Sequence, residues 1–216
     1  MKKVKIFSIF FVCCLYCVVF WIFASLTETS ITLFVKNNLA RVIWGREIPA
    51  GSVISIWYAA MLITIFILKK FKGGNNLLKN LRWGMNLTIL SYTSVVIAAT
   101  LFDVNSLMPF TVIIIFYILL GGAEVLVQPT GNAAAGDLMP KKYRGISLGI
   151  WQFSSGLGVE LSFHLAKITS PAVNIKLISS NIIYRESFLV YVVLCIFMAV
   201  LLFFISQISF GKNQIY

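Results

Sequence analysis

Long apolar stretches alternate with short polar connections along the whole chain. Six of these stretches are long enough to cross the roughly 30 Å hydrocarbon core of a bilayer as helices that rise about 1.5 Å per residue. They cover about residues 6–27, 53–68, 84–102, 108–129, 146–167 and 187–209. The first apolar run continues to Val35, which indicates a long or tilted helix. The pattern predicts an all-α, polytopic membrane protein whose six transmembrane helices form a single bundle over residues 1–216.

The composition agrees with this prediction. Of the 216 residues, 59% are hydrophobic and 12% are charged, whereas a soluble domain has roughly 45–50% apolar and about 25% charged residues. The formal net charge is +11, from 18 Lys and Arg against 7 Asp and Glu. Because the basic residues gather in short connections between apolar runs, we expect them to orient the chain in a membrane and expect no nucleic-acid partner.

The basic residues are distributed unequally between the two sides of the predicted membrane. Twelve fall on the side that holds both chain ends: Lys2, Lys3, Lys5, Lys69, Lys70, Lys72, Lys79, Arg82, Lys141, Lys142, Arg144 and Lys212. Six fall on the other side: Lys36, Arg41, Arg46, Lys167, Lys176 and Arg185. The positive-inside rule then predicts a multi-pass protein of the cell membrane, the inner membrane in a bacterium, with both termini in the cytoplasm.

Sequence motifs for catalysis or metal binding are not found. The cysteines Cys13, Cys14 and Cys17 form a CCxxC string inside an apolar run, but a fourth ligand and a polar surrounding are lacking. His164 is a lone histidine with no second ligand or base in register, so a structural role is expected. No serine–histidine–acid order, HExxH motif or phosphate-binding glycine loop occurs. We expect no metal, no cofactor and no enzymatic activity.

Glu124 is the acidic residue whose position is most informative. Only Glu124 and Glu160 lie well within predicted spans, and Glu28 lies near the end of the first. A charge at mid-bilayer costs about 2.5–3.5 kcal/mol on insertion scales. Pro129 removes the N–H that would bond the carbonyl of Val125, so the helix backbone is irregular close to Glu124. A functional role beside a polar cavity is favoured over the alternative, a protonated Glu hydrogen-bonded to a neighbour.

The fifth predicted span is rich in small residues. Gly145 and Gly149 form a GxxxG motif, and Ser154, Ser155 and further glycines follow. Such a surface predicts close packing on another helix. Trp151 lies deeper than the aromatic belt of a membrane protein, which is compatible equally with a cavity wall and with packing alone.

Two stretches of the chain read FWIFASLTETSITLFVKNNLARVIWGREIPA and GGAEVLVQPTGNAAAGDLMPKKYRGISLGIWQFSSG. Both resemble signature regions of the proton-dependent oligopeptide transporters, which are major facilitator superfamily proteins. In the second, Glu124, Pro140, Gly145, Gly149 and Trp151 keep the family's spacing without a gap. The similarity extends from about residue 10 to 206. The resemblance implies that the six spans are the last six of twelve helices, half of a major facilitator fold.

The resemblance also implies site residues and substrates. In that family the acid of the tenth helix helps hold the amino terminus of the peptide, and a tryptophan and hydroxyl residues of the eleventh line the pocket. These roles fall by position on Glu124, Trp151 and Ser155. The seventh-helix Glu–Gln pair of the family is missing here, and Glu28, three residues after Ser25, is a possible coupling acid on nearly the same helix face. Small peptides and protons are the implied substrates.

The implied function depends on a second bundle. The resemblance does not include the family's first six helices with their ExxER coupling motif, and Trp57-Tyr58 stand where the family has Asn–Pro in the eighth helix. Alternating access requires one bundle to rock against another, so an N-terminal half-transporter or a second copy in a homodimer is the expected partner. The alternative is a non-transporting, truncated or remnant six-helix membrane protein with an assembly role or no activity.

Overall fold

The computed structural model describes residues 2–70, 76–103, 105–172 and 176–210. Within these ranges seven α-helices follow one another: α1 (Lys2–Ala24), α2 (Ser30–Asn38), α3 (Ser55–Lys70), α4 (Leu77–Leu101), α5 (Thr111–Asp137), α6 (Arg144–Ala166) and α7 (Leu177–Phe210). A short antiparallel hairpin of β1 (Val42–Ile43) and β2 (Arg46–Glu47) connects α2 to α3. The predicted all-α class is confirmed.

Each of the six predicted spans coincides with one long helix, namely α1 and α3 to α7, but several boundaries differ. Helix α4 begins at Leu77 rather than near residue 84, and α7 begins at Leu177 rather than near residue 187. The early start of α4 has a local cause, because the side chain of Asn76 accepts a hydrogen bond from the backbone N–H of Lys79 at 3.1 Å. This cap satisfies a free N–H of the first turn. The helix therefore extends beyond the strictly apolar segment.

Helix α5 is also longer than predicted, because it continues through Pro129 to Asp137 instead of ending near residue 129. Proline leaves the carbonyl four residues earlier without its helical N–H partner. Membrane helices tolerate such a loss where neighbouring groups compensate for it. The segment that carries Glu124 is therefore an uninterrupted helix.

The first apolar run differs from the single long helix predicted for it. Helix α1 ends at Ala24, a 3-10 turn covers Ser25–Thr27, and α2 begins at Ser30. The hydroxyl of Thr27 donates to the carbonyl oxygen of Ala24 at 2.8 Å, and the hydroxyl of Thr32 donates to that of Thr27 at 2.6 Å. These bonds satisfy carbonyl groups where the helix is interrupted.

An aromatic core joins four of the helices. The buried ring of Tyr92 in α4 makes edge contacts with Phe23, Phe116, Phe188 and Tyr191 of α1, α5 and α7, at centroid distances of 5.2–6.3 Å. Its hydroxyl donates to the carbonyl oxygen of Phe23 at 2.6 Å. Edge contacts of this kind contribute beyond the burial of area. Helix α3 packs on α5, and α6 packs on α1, at the flanks of this core.

Five described segments are long and apolar enough to cross a membrane, as judged by length and composition: Ile6–Asn38, Ala50–Ile67, Leu77–Leu101, Thr111–Asp137 and Leu177–Ile208. Helix α6 is not among them, although its 23 residues extend for roughly 34 Å. Its polar residues Gln152, Glu160 and His164 reduce its apolar character. The protein thus has five to six long apolar helices, and α6 is the most polar of the predicted spans.

Candidate functional site

Glu124 lies on the face of α5 that is turned toward α1 and α6. One turn further along, the side-chain oxygen of Gln128 accepts a hydrogen bond from Nε1 of Trp21 in α1 at 3.5 Å. Another turn along, Gly131 contacts the ring of Trp151 in α6. Positions i, i+4 and i+7 share one helix face. The junction of α1, α5 and α6 is therefore where Glu124 projects.

The carboxyl group of Glu124 has no partner in the described part of the chain. Its side chain is half-buried, and no hydrogen bond or ion pair of the described residues reaches it. The sequence left open the alternative of a protonated Glu that is hydrogen-bonded to a neighbour. None of the described residues forms such a hydrogen bond. Both carboxyl oxygens are available to a ligand or to a proton.

Trp151 is fully buried at the same junction. Its ring packs against Gly131, where a Cβ atom would overlap the ring atoms. The Sγ atom of Cys17 in α1 donates to the backbone carbonyl of Trp151 at 3.8 Å. The indole N–H is buried and has no acceptor among the described residues. In this arrangement Trp151 packs between three helices. The sequence left two roles open for this residue, a cavity wall and packing alone, and these contacts correspond to packing.

Ser155 lies one turn beyond Trp151 and is half-buried. Its hydroxyl donates to the backbone carbonyl of Gln152 at 2.7 Å. The neighbouring Ser154 is buried and likewise donates within its own helix, to the carbonyl of Ile150 at 2.8 Å. Such bonds occupy the donor of a hydroxyl and leave its oxygen free to accept. Ser155 thus offers an acceptor at the edge of the buried face of α6.

Glu28 is the predicted site residue that lies outside the α-helices, between α1 and α2. It follows the 3-10 turn after α1, its side chain is exposed, and its backbone N–H donates to the carbonyl of Ser25 at 3.2 Å. Side chains three positions apart lie over one another in a 3-10 turn, so Glu28 and Ser25 remain on one side of the turn, with Ser25 buried and Glu28 exposed. No hydrogen bond of the described residues joins Glu28 to Glu124.

Helix α6 has two faces with different surroundings. The inward face consists of the buried residues Ser147, Trp151, Ser154, Gly158 and Ser162. At Gly158 a Cβ atom would lie 2.6 Å from both Cβ of Trp21 and the carbonyl oxygen of Val18, so α1 and α6 approach closely there. The predicted close packing therefore occurs through Gly158 and not through the GxxxG pair.

The opposite face of α6, here called the outward face, consists of Gly145, Gly149, Gln152, Gly156 and Glu160. These positions are exposed, and a Cβ atom at any of the three glycines would meet nothing within 4 Å among the described residues. Small residues on a membrane helix allow another helix to approach, and polar residues there usually face protein or water rather than lipid. The outward face has the composition of a contact surface without a neighbour in this bundle.

A cavity of about 430 Å³ lies between α4 and α5. Its lining includes Asn80, Pro129, Thr130 and Asp137, and the side-chain amide of Asn80 donates to the hydroxyl of Thr130 at 3.3 Å. These α5 residues occupy the side of the helix opposite Glu124. The sequence analysis did not predict this cavity. Pro129 and the acidic Asp137, which follows it two turns later on the same helix, are the features of the sequence that could have indicated it. None of the predicted site residues lines it.

Comparison with known proteins identifies the sequence family. The sequence model PTR2, which describes the POT family, matches residues 1–182. No curated protein sequence matches the chain.

Solved structures share the fold. A POT family transporter in complex with 5-aminolevulinic acid has a TM-score of 0.74 and 16% identity, over 96% of this chain and 42% of that one. Peptide transporter POT in complex with sulfate has a TM-score of 0.74 and 13% identity, over 96% and 41%. The POT family transporter PepTSo has a TM-score of 0.70 and 19% identity, over 97% and 42%.

The solved transporters therefore show the fold of the described bundle, while the family match comes from the sequence itself. The chain spans about 41–42% of the length of those transporters, which have the major facilitator type of fold. The match to the family's sequence pattern extends over residues 1–182 of the 216. The chain belongs to the POT family of transporters.

Proposed function

We propose that this chain is the C-terminal six-helix bundle of a proton-coupled symporter of di- and tripeptides, and that it works against a separate N-terminal bundle. The observation that carries the proposal is the outward face of α6. Three uncovered glycines, Gln152 and Glu160 lie on one exposed face of a helix within the bundle. A second bundle packed on this face would cover the small residues and remove the polar ones from lipid.

In this proposal Glu124 binds the amino terminus of the peptide. Its carboxyl group has no intramolecular partner among the described residues, so the ammonium group of a peptide would be its first counter-charge. Charge-assisted hydrogen bonds of this type are short and about twice as strong as neutral ones. The same carboxylate is suited to exchange a proton as the peptide's charged ends arrive and leave.

Trp151 and Ser155 of α6 form the remaining part of the proposed peptide-binding wall. The oxygen of Ser155 can accept a hydrogen bond from a peptide N–H. The buried indole N–H of Trp151 lacks an acceptor, and a small movement of α6 away from Gly131 would give it access to a peptide carbonyl. Glu28, exposed beyond the end of α1, is the proposed coupling acid. The unequal distribution of the basic residues supports a cytoplasmic position for both chain termini, and the proposal treats the whole chain as one bundle.

A non-transporting protein with an assembly role is the second candidate. The closed packing of Trp151 against Gly131 favours it. In that case the outward face of α6 would still bind a partner, but no peptide would be moved. The two candidates therefore share the interaction surface and differ in transport.

Reconstitution distinguishes these functions. The chain is placed in liposomes alone, or together with the N-terminal six-helix bundle of a POT transporter expressed as a separate chain, and uptake of a labelled dipeptide is measured under an imposed pH gradient. We expect no uptake by the chain alone and uptake when both bundles are present. Cross-linking in the same liposomes reports whether copies of the chain pair with each other.

Three results would contradict the proposal. Uptake by the chain alone, with cross-linking showing monomers, would exclude the need for a second bundle. Stable association of the two bundles without any uptake would support the assembly role instead. Uptake by cross-linked copies of the chain would replace the N-terminal bundle with a homodimer as the partner.

A further inference from the structure

The short hairpin between α2 and α3 carries Trp44 at its tip. Strands β1 and β2 pair with each other, and Trp44 and Gly45 form the two-residue turn between them. Both turn residues have positive φ angles, 50° for Trp44 and 73° for Gly45, as in a type I′ turn. Asparagine, aspartate or glycine is favoured at the first turn position, because the left-handed conformation crowds a bulky side chain. The turn itself therefore does not favour a tryptophan.

Contacts within the described part of the bundle do not compensate for this choice. The side chain of Trp44 is 99% exposed, and it makes no hydrogen bond, ring contact or cation–π contact with any described residue. Tryptophan is highly buried on average in folded proteins. An unfavourable backbone conformation at a residue without internal contacts points to a role outside the fold. The indole ring of Trp44 is therefore available to something outside the bundle.

The hairpin is held in place by bonds to its neighbours. The guanidinium group of Arg41, just before β1, donates to the carbonyl oxygen of Lys36 in α2 at 3.2 Å and pairs with the carboxylate of Glu47 in β2 at 2.6 Å. The backbone N–H of Ala40 donates to the carbonyl oxygen of Met108, in the link between α4 and α5, at 2.8 Å. A group held in one position loses less entropy when it makes a contact. The tip of the hairpin is thus preordered.

The base of the hairpin lies at the level where the long helices end. Helix α2 ends at Asn38, whose carbonyl oxygen accepts from the backbone N–H of Met108 at 2.8 Å, in the link that joins the end of α4 to the start of α5. A strand rises about 3.3 Å per residue, so Trp44 lies up to roughly 10 Å from Arg41 at the base. The headgroup layer on one side of a bilayer is roughly 5–8 Å thick. Trp44 is therefore within reach of the lipid headgroups.

The side chains around the tip suit a lipid surface better than a docked protein. Successive strand residues point to opposite faces, and both Val42 and Ile43 are exposed. A docked protein would cover one face of the hairpin, whereas the headgroup layer surrounds it on all sides. Arg46, next to the turn, is exposed and takes part in no ion pair of the described residues. Tryptophan favours the headgroup level, and long basic side chains place their charge there.

We propose that the tip of the hairpin, residues 42–46, inserts into the lipid headgroup layer of the bilayer. The indole ring of Trp44 lies among the headgroups, and the guanidinium group of Arg46 contacts lipid phosphate. The hairpin then acts as an anchor that fixes the depth of the adjoining ends of α2 and α3 in the membrane. The inference depends neither on peptide transport nor on a second bundle.

The test measures tryptophan fluorescence of the full chain in phosphatidylcholine liposomes. Two quenchers are compared: phosphatidylcholine brominated near the headgroup end of its acyl chains, and iodide in the water on both sides of the membrane. The contribution of Trp44 is the difference between the parent protein and Trp44→Asn, because asparagine suits the turn. We expect brominated lipid to quench this contribution at least about threefold more strongly than iodide does, because the ring lies among headgroups.

The variant Trp44→Asn also tests whether the indole has a role within the fold. In detergent it should unfold at the temperature of the parent protein or slightly above it, because asparagine relieves the left-handed turn position. A clear loss of stability would show that Trp44 supports the bundle itself, and would contradict the inference that its role lies outside.

A second pair of variants tests the contact of Arg46 with phosphate. In Arg46→Leu no charge holds the tip at the phosphate level, so lipid brominated deeper in the acyl chains should quench Trp44 more strongly than in the parent protein. Lys36→Leu removes an exposed charge of α2 outside the hairpin and is the matched control, in which the depth should not change. Equal depths in the two variants would remove Arg46 from the anchor.

Three quenching results would overturn the inference. Quenching of the Trp44 contribution mainly by iodide would place the tip in water. Quenching by neither agent would show that protein covers the tip, as in contact with a second copy of the chain. Loss of lipid quenching when the N-terminal bundle of a POT transporter is added as a separate chain would assign the tip to the interface between the bundles.

Discussion

The two faces of α6 contain similar small residues but have opposite surroundings. On the inward face, Gly158 allows α1 to approach so closely that a Cβ atom would lie 2.6 Å from Trp21 and from Val18. On the outward face, Gly149 and Gly156 have nothing within 4 Å among the described residues. The inward glycine allows close packing within the bundle, whereas the outward glycines contact no other helix of the described residues. The proposed second bundle would cover these outward glycines.

The largest expected effect on stability is at the inward face. Gly158→Leu places a side chain where α1 and α6 touch, and overpacking of this kind costs about 3 kcal/mol or more. The midpoint of thermal unfolding in detergent should fall by about 6–12 °C for a chain of this size. Gly156→Leu, two residues away on the outward face, is the matched control and should unfold within about 2 °C of the parent protein. Equal losses in both variants would contradict the distinction between the faces.

A smaller loss is expected where α5 meets α6. Gly131→Ala adds a Cβ atom that overlaps the ring of Trp151, and we expect a loss of about 1–3 kcal/mol in the free energy of unfolding. Gly136→Ala lies on the same helix with nothing within 4 Å and should be neutral or slightly stabilising, because alanine favours helix over glycine. Thermal unfolding of the two variants measures the difference. A stable Gly131→Ala protein would show that Trp151 is free to move away from α5.

Substitution on the outward face should leave stability unchanged and affect association instead. The double variant Gly149→Leu and Gly156→Leu fills a face that is uncovered in this bundle. We expect normal thermal unfolding, but at least about tenfold weaker association with the N-terminal bundle, because close helix approach requires small residues. Co-purification and fluorescence energy transfer in liposomes measure association. Unchanged association would place the partner elsewhere on the bundle.

A substitution at Glu28 is also expected to have little effect on stability. Its side chain is exposed and has no described partner, so Glu28→Gln should change the free energy of unfolding by less than about 0.5 kcal/mol. If Glu28 is the coupling acid, the variant should instead lose the dependence of dipeptide uptake on the pH gradient in the two-bundle assembly. Uptake with an unaltered dependence on the gradient would remove Glu28 from coupling.

The sequence predicted most of the fold because each span is a continuous apolar segment. It missed the interruption at Ser25–Thr27, where no proline or glycine marks the break and the hydroxyls of Thr27 and Thr32 satisfy the backbone locally. It also placed the start of α4 too late, because the cap at Asn76 depends on a single polar side chain and not on hydropathy. Local hydrogen bonds determine these helix boundaries, and the pattern of apolar residues does not reveal such bonds.

The candidate site could be predicted only in part. The depth of Glu124 follows from counting residues along one helix, and the structure leaves that carboxyl group without a partner among the described residues. The packing of Trp151 depends on Gly131, twenty residues away on another helix. Which face of α6 is covered depends on α1, and the contacts of Arg82 in α4 are with Ser206 and Phe203 of α7. Contacts between distant helices are not encoded in the spacing within any one of them.

The most direct test of the account is the effect of Glu124→Gln on peptide affinity in the two-bundle assembly. We expect a loss of about 10- to 100-fold for a dipeptide with a free amino terminus, which corresponds to a charge-assisted hydrogen bond of about 1.5–3 kcal/mol. An N-acetylated dipeptide has no ammonium group and should bind the parent protein and Glu124→Gln equally. The control variant Asp137→Asn, on the opposite side of α5, should change the affinity for neither the free nor the acetylated dipeptide. If the free dipeptide bound Glu124→Gln as tightly as the parent protein, Glu124 would not hold the amino terminus, and the account of this bundle as a peptide-binding wall would be contradicted.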